Sequence, residues 1–153
     1  MAKLKIRKLG DEVLSRVCRP VEEINARTLT LLDDMIDTMR HADGCGLAAP
    51  QVGILRRIAV VEVNEGEVIE LINPEIIARE GEQQETEGCL SIPGRFGVTK
   101  RPMRVTVRAT NRNGELYEVT GEGLLARALC HEIDHLDGHL FLERTIRMLD
   151  EED

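Results

Sequence analysis

Aromatic side chains are scarce in this sequence. Among its 153 residues there is no tryptophan, one tyrosine and two phenylalanines, although 42% of the residues are hydrophobic. Leucine, isoleucine, valine, methionine and alanine must therefore fill the core. Long apolar runs are lacking too, since none approaches the roughly 18 residues that a membrane-spanning helix needs. We therefore expect no association with a membrane.

Positive charge is in deficit. The chain has 20 lysines and arginines against 28 acidic residues, a net charge of −8. Binding to nucleic acid through bulk electrostatics requires a basic face, so direct nucleic-acid binding is not expected. The opening MAKLKIRKLGDEVL lacks the apolar segment and cleavage site of a secretory signal, which favours a cytoplasmic location. In that compartment the four cysteines are expected to be reduced, and a metal or catalytic role for one of them deserves a test.

Hydrophobic periodicity predicts two helices separated by strands. The first helix lies near residues 25–41, with Asn25 or Thr28 as its N-cap, a stop at Asp43-Gly44, and an apolar face formed by Leu29, Leu32, Ile36 and Met39. The second lies near residues 123–137, with Gly138 after its end and an apolar face formed by Leu125, Leu129, Ile133 and Leu136.

The residues between the two helices are typical of antiparallel strands. Residues 57–63 and 67–76 are short and rich in β-branched residues, with a tight-turn signal between them. Residues 103–123 predict a hairpin with a type I′ turn at Asn113-Gly114. Helix, antiparallel strands and helix together indicate an α+β fold. The length predicts a single domain, residues 1–153, with a short acidic tail, DEED, at 150–153.

The decapeptide CHEIDHLDGH, residues 130–139, contains three histidines, three acids and a cysteine. On the second helix His131 and His135 are four residues apart and project from one face, which suits two nitrogen ligands of one metal ion. Glu132 lies beside them and is a candidate general base or acid. A pair of histidines at this spacing is often mere surface decoration, but the HExxH pattern is rarer and favours a metal site.

The third ligand must come from upstream of this helix. A metzincin would place a third histidine where Phe141 stands, and a thermolysin-like enzyme would need a glutamate ligand further downstream than this chain offers. Cys89, in the constrained stretch EGCLSIPG, is the candidate, because a thiolate with two imidazoles leaves a fourth position open for water. Cys130 points about 100 degrees away from His131 on a helix and is a poorer ligand.

Three stretches, in order, resemble the peptide deformylase family: GCGLAAPQ (44–51), EGCLS (87–91) and HEIDH (131–135). The resemblance extends from IRKLGDEVL to LFLER and implies antiparallel sheets packed around a central helix that carries HExxH. It also implies a metal-dependent hydrolase that removes the N-formyl group from the initiator methionine of nascent polypeptides and releases formate. By this resemblance Cys89, His131 and His135 hold one divalent ion, Fe(II) in the native enzyme, with Zn, Ni or Co as possible replacements.

The resemblance assigns further roles. Glu132 carries the proton, and the side-chain amide of Gln51 and the backbone N–H of Leu90 stabilise the oxyanion. We assign the methionine pocket and the loop that approaches the substrate to Gly44, Cys45, Gly46, Leu124, Arg127 and Ala128. Glu87 and Arg101 are interpreted either as an ion pair behind the EGCLS loop or as exposed charges.

This sequence departs from the family pattern in a few places. Cys130 stands where the family often has glutamine, and LGDEVL replaces a PDP-like stretch near the start. The acidic end argues against docking on the ribosome through a basic C-terminal helix, so at most a transient ribosome contact is expected. Two alternatives stay open: a zinc peptidase that uses the same helix, and a non-catalytic protein with a structural metal. Replacing Glu132 with alanine separates catalysis from a structural site.

Overall fold

The computed structural model describes residues 3–149. Two α-helices lie in this range, α1 (Ala26–His41) and α2 (Leu124–Leu136). The strands are β1 (Gly46–Ala48), β2 (Ile58–Val61), β3 (Ile69–Glu80), β4 (Gln83–Cys89), β5 (Ile92–Arg101), β6 (Arg104–Thr110), β7 (Leu116–Glu122) and β8 (Thr145–Met148). Short 3-10 helices cover Glu12–Ser15, Ala49–Val52 and Phe141–Arg144. The predicted acidic tail, 150–153, lies outside the described residues.

The strands form two antiparallel sheets. One has five strands in the order β1-β2-β3-β6-β7, and the other has three in the order β4-β5-β8. Helix α2 buries its apolar face on the five-stranded sheet, and this core includes Val105, Val107, Leu129, Ile133 and Leu136. The polar face of α2 meets β4 and β5 of the smaller sheet through the side chains described below. The predicted α+β fold with antiparallel sheets around the HExxH helix is confirmed. No helix among residues 3–149 is long and apolar enough to span a membrane.

Helix α1 begins at a reciprocal cap. The side chain of Asn25 accepts the backbone N–H of Thr28, and the hydroxyl of Thr28 accepts the backbone N–H of Asn25, so both predicted candidates take part. The helix ends with Asp43, not Gly44, in the left-handed conformation, at φ 57. The backbone N–H of Gly44 then donates to the carbonyl of Met39 at 3.0 Å.

The buried stripe of α1 is rotated from the predicted face. Leu32 and Met39 are fully buried as predicted, but Leu29 and Ile36 are only partly covered. Leu31, Met35 and Thr38 are buried as well, because the helix is covered by β1 and β2 on one side and by the N-terminal segment on another. The backbone N–H of Leu4 donates to the hydroxyl of Thr38 at 2.8 Å, which fixes that segment on the helix.

The turn between β6 and β7 differs from the predicted type I′. Such a turn needs positive φ at both central residues, and only Gly114 has it, at φ 79. The side chain of Asn111 accepts the backbone N–H groups of Asn113 at 3.0 Å and Glu115 at 3.1 Å. These bonds hold residues 112 and 113 in a right-handed turn that closes through Gly114, so the loop has three residues where two were predicted.

Helix α2 ends as the glycine signal predicts. Gly138 is left-handed at φ 83, and its N–H donates to the carbonyl of His135 at 3.1 Å. The N–H of His139 donates to the carbonyl of Asp134 at 2.8 Å, which completes a Schellman motif. This termination redirects the chain, so the His139 ring turns outward and pairs with Glu143 at 3.0 Å.

Candidate metal centre

The three predicted ligands converge at the end of β4. Cys89 is the last residue of that strand, and His131 and His135 lie one turn apart on α2. Their ligand atoms lie within 4.8 Å of one another, and Cys89 Sγ is 3.4 Å from His135 Nε2. Tetrahedral coordination with metal–sulfur and metal–nitrogen bonds of usual length separates S and N by about 3.5 Å. The donor set therefore fits a divalent ion, and the spacing of Cys89 and His135 matches tetrahedral coordination.

The His131 ring is oriented from behind. Its Nδ1 lies 3.1 Å from Glu87 Oε1, and a carboxylate partner there leaves Nε2 facing Cys89 and the candidate metal position. Of the two interpretations of Glu87 and Arg101, the structure has the ion pair, with both side chains at least 93% buried and N–O distances of 2.9 and 3.0 Å. The hydroxyl of Thr99 donates to the same carboxylate at 2.5 Å. On its other side the His131 ring stacks on Phe141, with centroids 6.1 Å apart.

Glu132 is buried against the glycine loop. It is 4% exposed, and its Oε1 has no hydrogen-bond partner among the described residues. A Cβ placed on Gly46 would lie 2.4 Å from Glu132 Oε2, so only glycine leaves room for this carboxylate. Burial raises the pKa of Glu132 to about 7, with the charge of Glu87 acting in the same direction and that of His131 opposing it. A carboxyl group with a pKa near neutrality suits proton transfer in both directions.

The pKa values of the two histidines shift in opposite directions. Burial alone would lower the pKa of His131, but the charge of Glu132 and contacts with Cys89 and Glu87 raise it well above its usual value. Burial and the neighbouring His131 hold the pKa of His135 well below its usual value. A metal ion must therefore displace a proton from His131, and metal affinity should rise with pH.

Gln51 and Leu90 both lie next to Cys89, the first through its side chain and the second as the following residue. The Gln51 side chain is 1% exposed and anchored at its oxygen, which accepts the backbone N–H of Ala48 at 3.0 Å. Its amide nitrogen donates to Ser91 Oγ at 3.1 Å and lies 3.5 Å from Cys89 Sγ. Leu90 and Ser91 form the two-residue turn between β4 and β5. The Leu90 side chain occupies the space where a Cβ on Gly44 would lie, 2.6 Å from its Cδ1.

A cavity of about 550 Å³ opens over this centre. Its walls include all the residues predicted to bind substrate: Gly44, Cys45, Gly46, Leu124, Arg127 and Ala128. The side chain of Leu124 is half exposed at the mouth, while Ala128 is buried. Arg127 is tied to Gln83 through one guanidinium nitrogen at 2.7 Å, and its buried Nε has no partner within the described residues.

Two of the three remaining thiols, Cys18 and Cys130, lie in the core, apart from the ligand group. Cys130 precedes His131 but is buried in the core between α2 and the five-stranded sheet, consistent with its predicted exclusion as a ligand. Cys18 is buried in the same core, and burial raises the pKa of each thiol to about 11. Cys45 is exposed beside the cavity.

Sequence reasoning missed several residues around the centre. Ser91 was not singled out, although it stands inside the EGCLS motif and receives the Gln51 amide. Asp134 lies inside HEIDH and contacts Arg101 at 2.6 Å. Phe141 was considered only as a failed ligand position, yet it packs on His131. Membership of the motifs could have flagged the first two, whereas no local pattern predicts the third.

Comparison with known proteins assigns the family. A sequence model described as polypeptide deformylase matches residues 3–151. The chain belongs to the polypeptide deformylase family. Peptide deformylase of Caldanaerobacter subterraneus is 59% identical over 153 residues, covering 100% of this chain and 96% of that protein. The Thermoanaerobacter pseudethanolicus peptide deformylase is 58% identical, with the same coverage.

Solved structures of deformylases share the fold. The Legionella pneumophila peptide deformylase superposes with a TM-score of 0.91 at 46% identity, over 94% of this chain and 86% of that one. The Synechococcus elongatus peptide deformylase, solved in complex with actinonin, has a TM-score of 0.91 at 39% identity, over 95% and 82%. This deformylase-family protein is accordingly a metal-dependent hydrolase that removes the formyl group from N-formylmethionyl peptides.

Proposed function

We propose that Cys89, His131 and His135 bind one catalytic divalent ion, Fe(II) in the cell, which Zn, Ni or Co can replace. The observation that carries this proposal is the convergence of one thiol and two imidazoles with Glu132 beside them and a cavity above. Three protein ligands leave a coordination position for water, as in catalytic sites, whereas a structural site would be closed by a fourth. When bound, the ion activates water and polarises the formyl oxygen.

Glu132 moves the proton in this proposal. Its carboxylate accepts a proton from the attacking water and delivers it to the methionine nitrogen as the formyl group departs. A pKa of about 7 lets the same group act first as base and then as acid near neutral pH. Because Gly46 has no side chain, the Glu132 carboxylate can lie directly against the loop.

Gln51 and Leu90 are proposed to stabilise the negative charge that develops on the formyl oxygen. Donors aimed at developing charge lower the barrier most when they are fixed before the reaction. The Gln51 amide is fixed at both ends, by the Ala48 N–H and by the Ser91 hydroxyl. The Leu90 backbone N–H belongs to a tight turn directly after Cys89, next to the proposed metal position.

The substrate is proposed to be a nascent polypeptide that begins with formylmethionine. The unbranched methionine side chain would enter the cavity along Leu124 and Ala128, with Cys45 and the stem of Arg127 beside it, while the peptide backbone would lie along the cavity wall at Gly44 and Gly46. We further propose that residues 1–153 act as a single catalytic domain in the cytoplasm, with at most a transient contact with the ribosome.

The decisive experiment measures formate released from a formyl-methionyl peptide. Protein purified without oxygen and loaded with Fe(II) should release formate rapidly. Glu132→Ala should bind one equivalent of metal but turn over at least about 100-fold more slowly. Glu118→Ala is the matched control, because Glu118 is a half-exposed glutamate paired with Arg108, outside the cavity lining. One bound equivalent of metal without formate release, for every divalent ion tried, would refute the proposed function.

A further inference from the structure

Behind the metal centre, charged side chains form a continuous network from the ligand His131 to the C-terminal segment. We name it the Glu87–Arg144 network, and its members are Glu87, Arg101, Asp134 and Arg144. Glu87 contacts the His131 ring at 3.1 Å and Arg101 at 2.9 and 3.0 Å. Arg101 donates to Asp134 at 2.6 Å, and Arg144 donates to both carboxylate oxygens of Asp134, each at 3.1 Å.

Each contact that Arg101 makes in the network uses a different nitrogen. Arg101 donates Nε and Nη2 to the two oxygens of Glu87 and Nη1 to Asp134, so its fork is fixed in one orientation. The signs alternate along the network: carboxylate, guanidinium, carboxylate, guanidinium. The Arg101 side chain is only 4% exposed, so water does little to stabilise its positive charge. That charge is stabilised instead by the carboxylates of Glu87 and Asp134.

This arrangement links the position of Glu87 to a residue that does not touch the histidine. If Asp134 loses its charge, Arg101 keeps only Glu87 as a charged partner in the network and draws that carboxylate towards itself. The hydrogen bond from His131 Nδ1 then weakens, and with it the basicity and orientation of the ring. A substitution of Asp134 should therefore change the basicity and orientation of His131 Nε2.

We propose that Asp134 and Arg144 are positioning residues that set the affinity of the centre for its divalent ion, acting through Arg101 and Glu87 on His131. The inference rests on the metal site of the proposed function. It assigns a role to the segment after α2: Arg144 closes the network, and Phe141, three residues earlier, packs on the His131 ring. One short 3-10 helix thus supports the same ligand from two directions.

The test compares two neutralised aspartates on the same helix end. Asp134→Asn removes the central carboxylate of the network. Asp137→Asn is the matched control, because Asp137 caps α2 and pairs with Arg57 at 2.7 Å but has no bond to any network residue. Dissociation constants for Zn(II) and Co(II) are measured on the full-length metal-free protein by competition with a chromophoric chelator. The visible spectrum of the Co(II) form reports the ligand geometry.

We expect Asp134→Asn to weaken metal binding by about tenfold and to shift the Co(II) spectrum. Asp137→Asn should leave both unchanged, although each variant lowers the melting temperature of the metal-free protein. Wild-type affinity in Asp134→Asn would overturn the proposal. An equal loss of affinity in the control would also overturn it, because the effect would then follow from helix stability alone.

Arg144→Gln tests the outer end and keeps the proposal testable if Asp134→Asn does not fold. The Arg144 side chain is 42% exposed, so its replacement should be tolerated by the fold. We expect a loss of metal affinity of about twofold to fivefold, and no further loss when Asp134 is already asparagine. Unchanged affinity removes Arg144 from the proposal. All these measurements omit substrate, so their failure is distinct from a failure of deformylation.

Discussion

Adding one methyl group to the glycine loop should disable the enzyme without removing its metal ligands. In Gly46→Ala the new Cβ would lie 2.4 Å from Glu132 Oε2, where ordinary contact begins near 3.4 Å, so the carboxylate must retreat by about 1 Å. Gly46 does not have a positive φ, so alanine adopts its backbone conformation without strain. A displacement of that size at a reacting group costs about 100-fold in turnover.

The same substitution has a calculable effect on stability. Overpacking of a closed site costs about 1–3 kcal/mol, and replacing glycine by alanine recovers about 0.4–1 kcal/mol through the unfolded chain. We expect a net loss of about 1–2 kcal/mol in the free energy of unfolding, measured by denaturant titration. This loss should largely disappear in a Glu132→Ala background, where the clashing carboxylate is absent.

Gly121→Ala provides the matched control for this experiment. A Cβ on Gly121 would lie 2.5 Å from Leu125 Cγ, an overlap of similar size at a residue with no part in the proposed chemistry. It should destabilise the fold comparably and leave formate release within about threefold of wild type. Full turnover in Gly46→Ala would refute the argument. So would a stability loss that persists unchanged when Glu132 is alanine.

Three further outcomes follow from burial. Tyr117 is the one tyrosine and there is no tryptophan, so an ultraviolet titration of tyrosine absorbance reports Tyr117 alone. Burial, and to a lesser extent the charge of the neighbouring Glu70, raises the pKa of Tyr117 to about 12. Because the pKa of Tyr117 in the folded protein exceeds the ordinary value of 10.0, the free energy of unfolding should fall as pH rises from about 10 to 12. A titration midpoint near 10 for Tyr117 in the folded protein would contradict the raised pKa. Cys45 should react with a thiol reagent in the native protein, whereas the buried Cys18 should react only on unfolding; similar rates would disprove this. Phe141→Ala should cost about 3–5 kcal/mol of unfolding free energy and weaken metal binding through His131, and a loss below about 1 kcal/mol would contradict its packing role.

Local patterns carried much of the prediction. The HExxH spacing places two proposed ligands on one helical face because helix geometry is local, and Gly138 ends that helix for an equally local reason. The β6–β7 turn was mispredicted because the side chain of Asn111, outside the two residues considered, dictates its conformation. The rotated face of α1 depends on which other segments cover it, and hydrophobic spacing alone does not contain that information.

Long-range pairing explains what remained unpredicted at the site. Arg101 meets Asp134 across 33 positions of sequence, and Gln51 meets Ser91 across 40. Which strand lies beside the helix decides these contacts, and nothing in the spacing of a single motif specifies it. Cys89 was reached only by eliminating downstream ligands and by family resemblance, since the strand that carries it offers no metal-binding pattern of its own.

The proposed ligands come from two different parts of the architecture. Cys89 ends a strand of the three-stranded sheet, whereas both histidines belong to the helix that packs on the five-stranded sheet. A bound ion would therefore act as a cross-link between the two sheets, comparable to a disulfide that forms and breaks with metal supply. Removing it should loosen the β4–β5 hairpin first and speed the exchange of its amide protons. The folding equilibrium would then follow the concentration of free metal, so starvation for the ion would expose the protein to unfolding as well as to loss of activity.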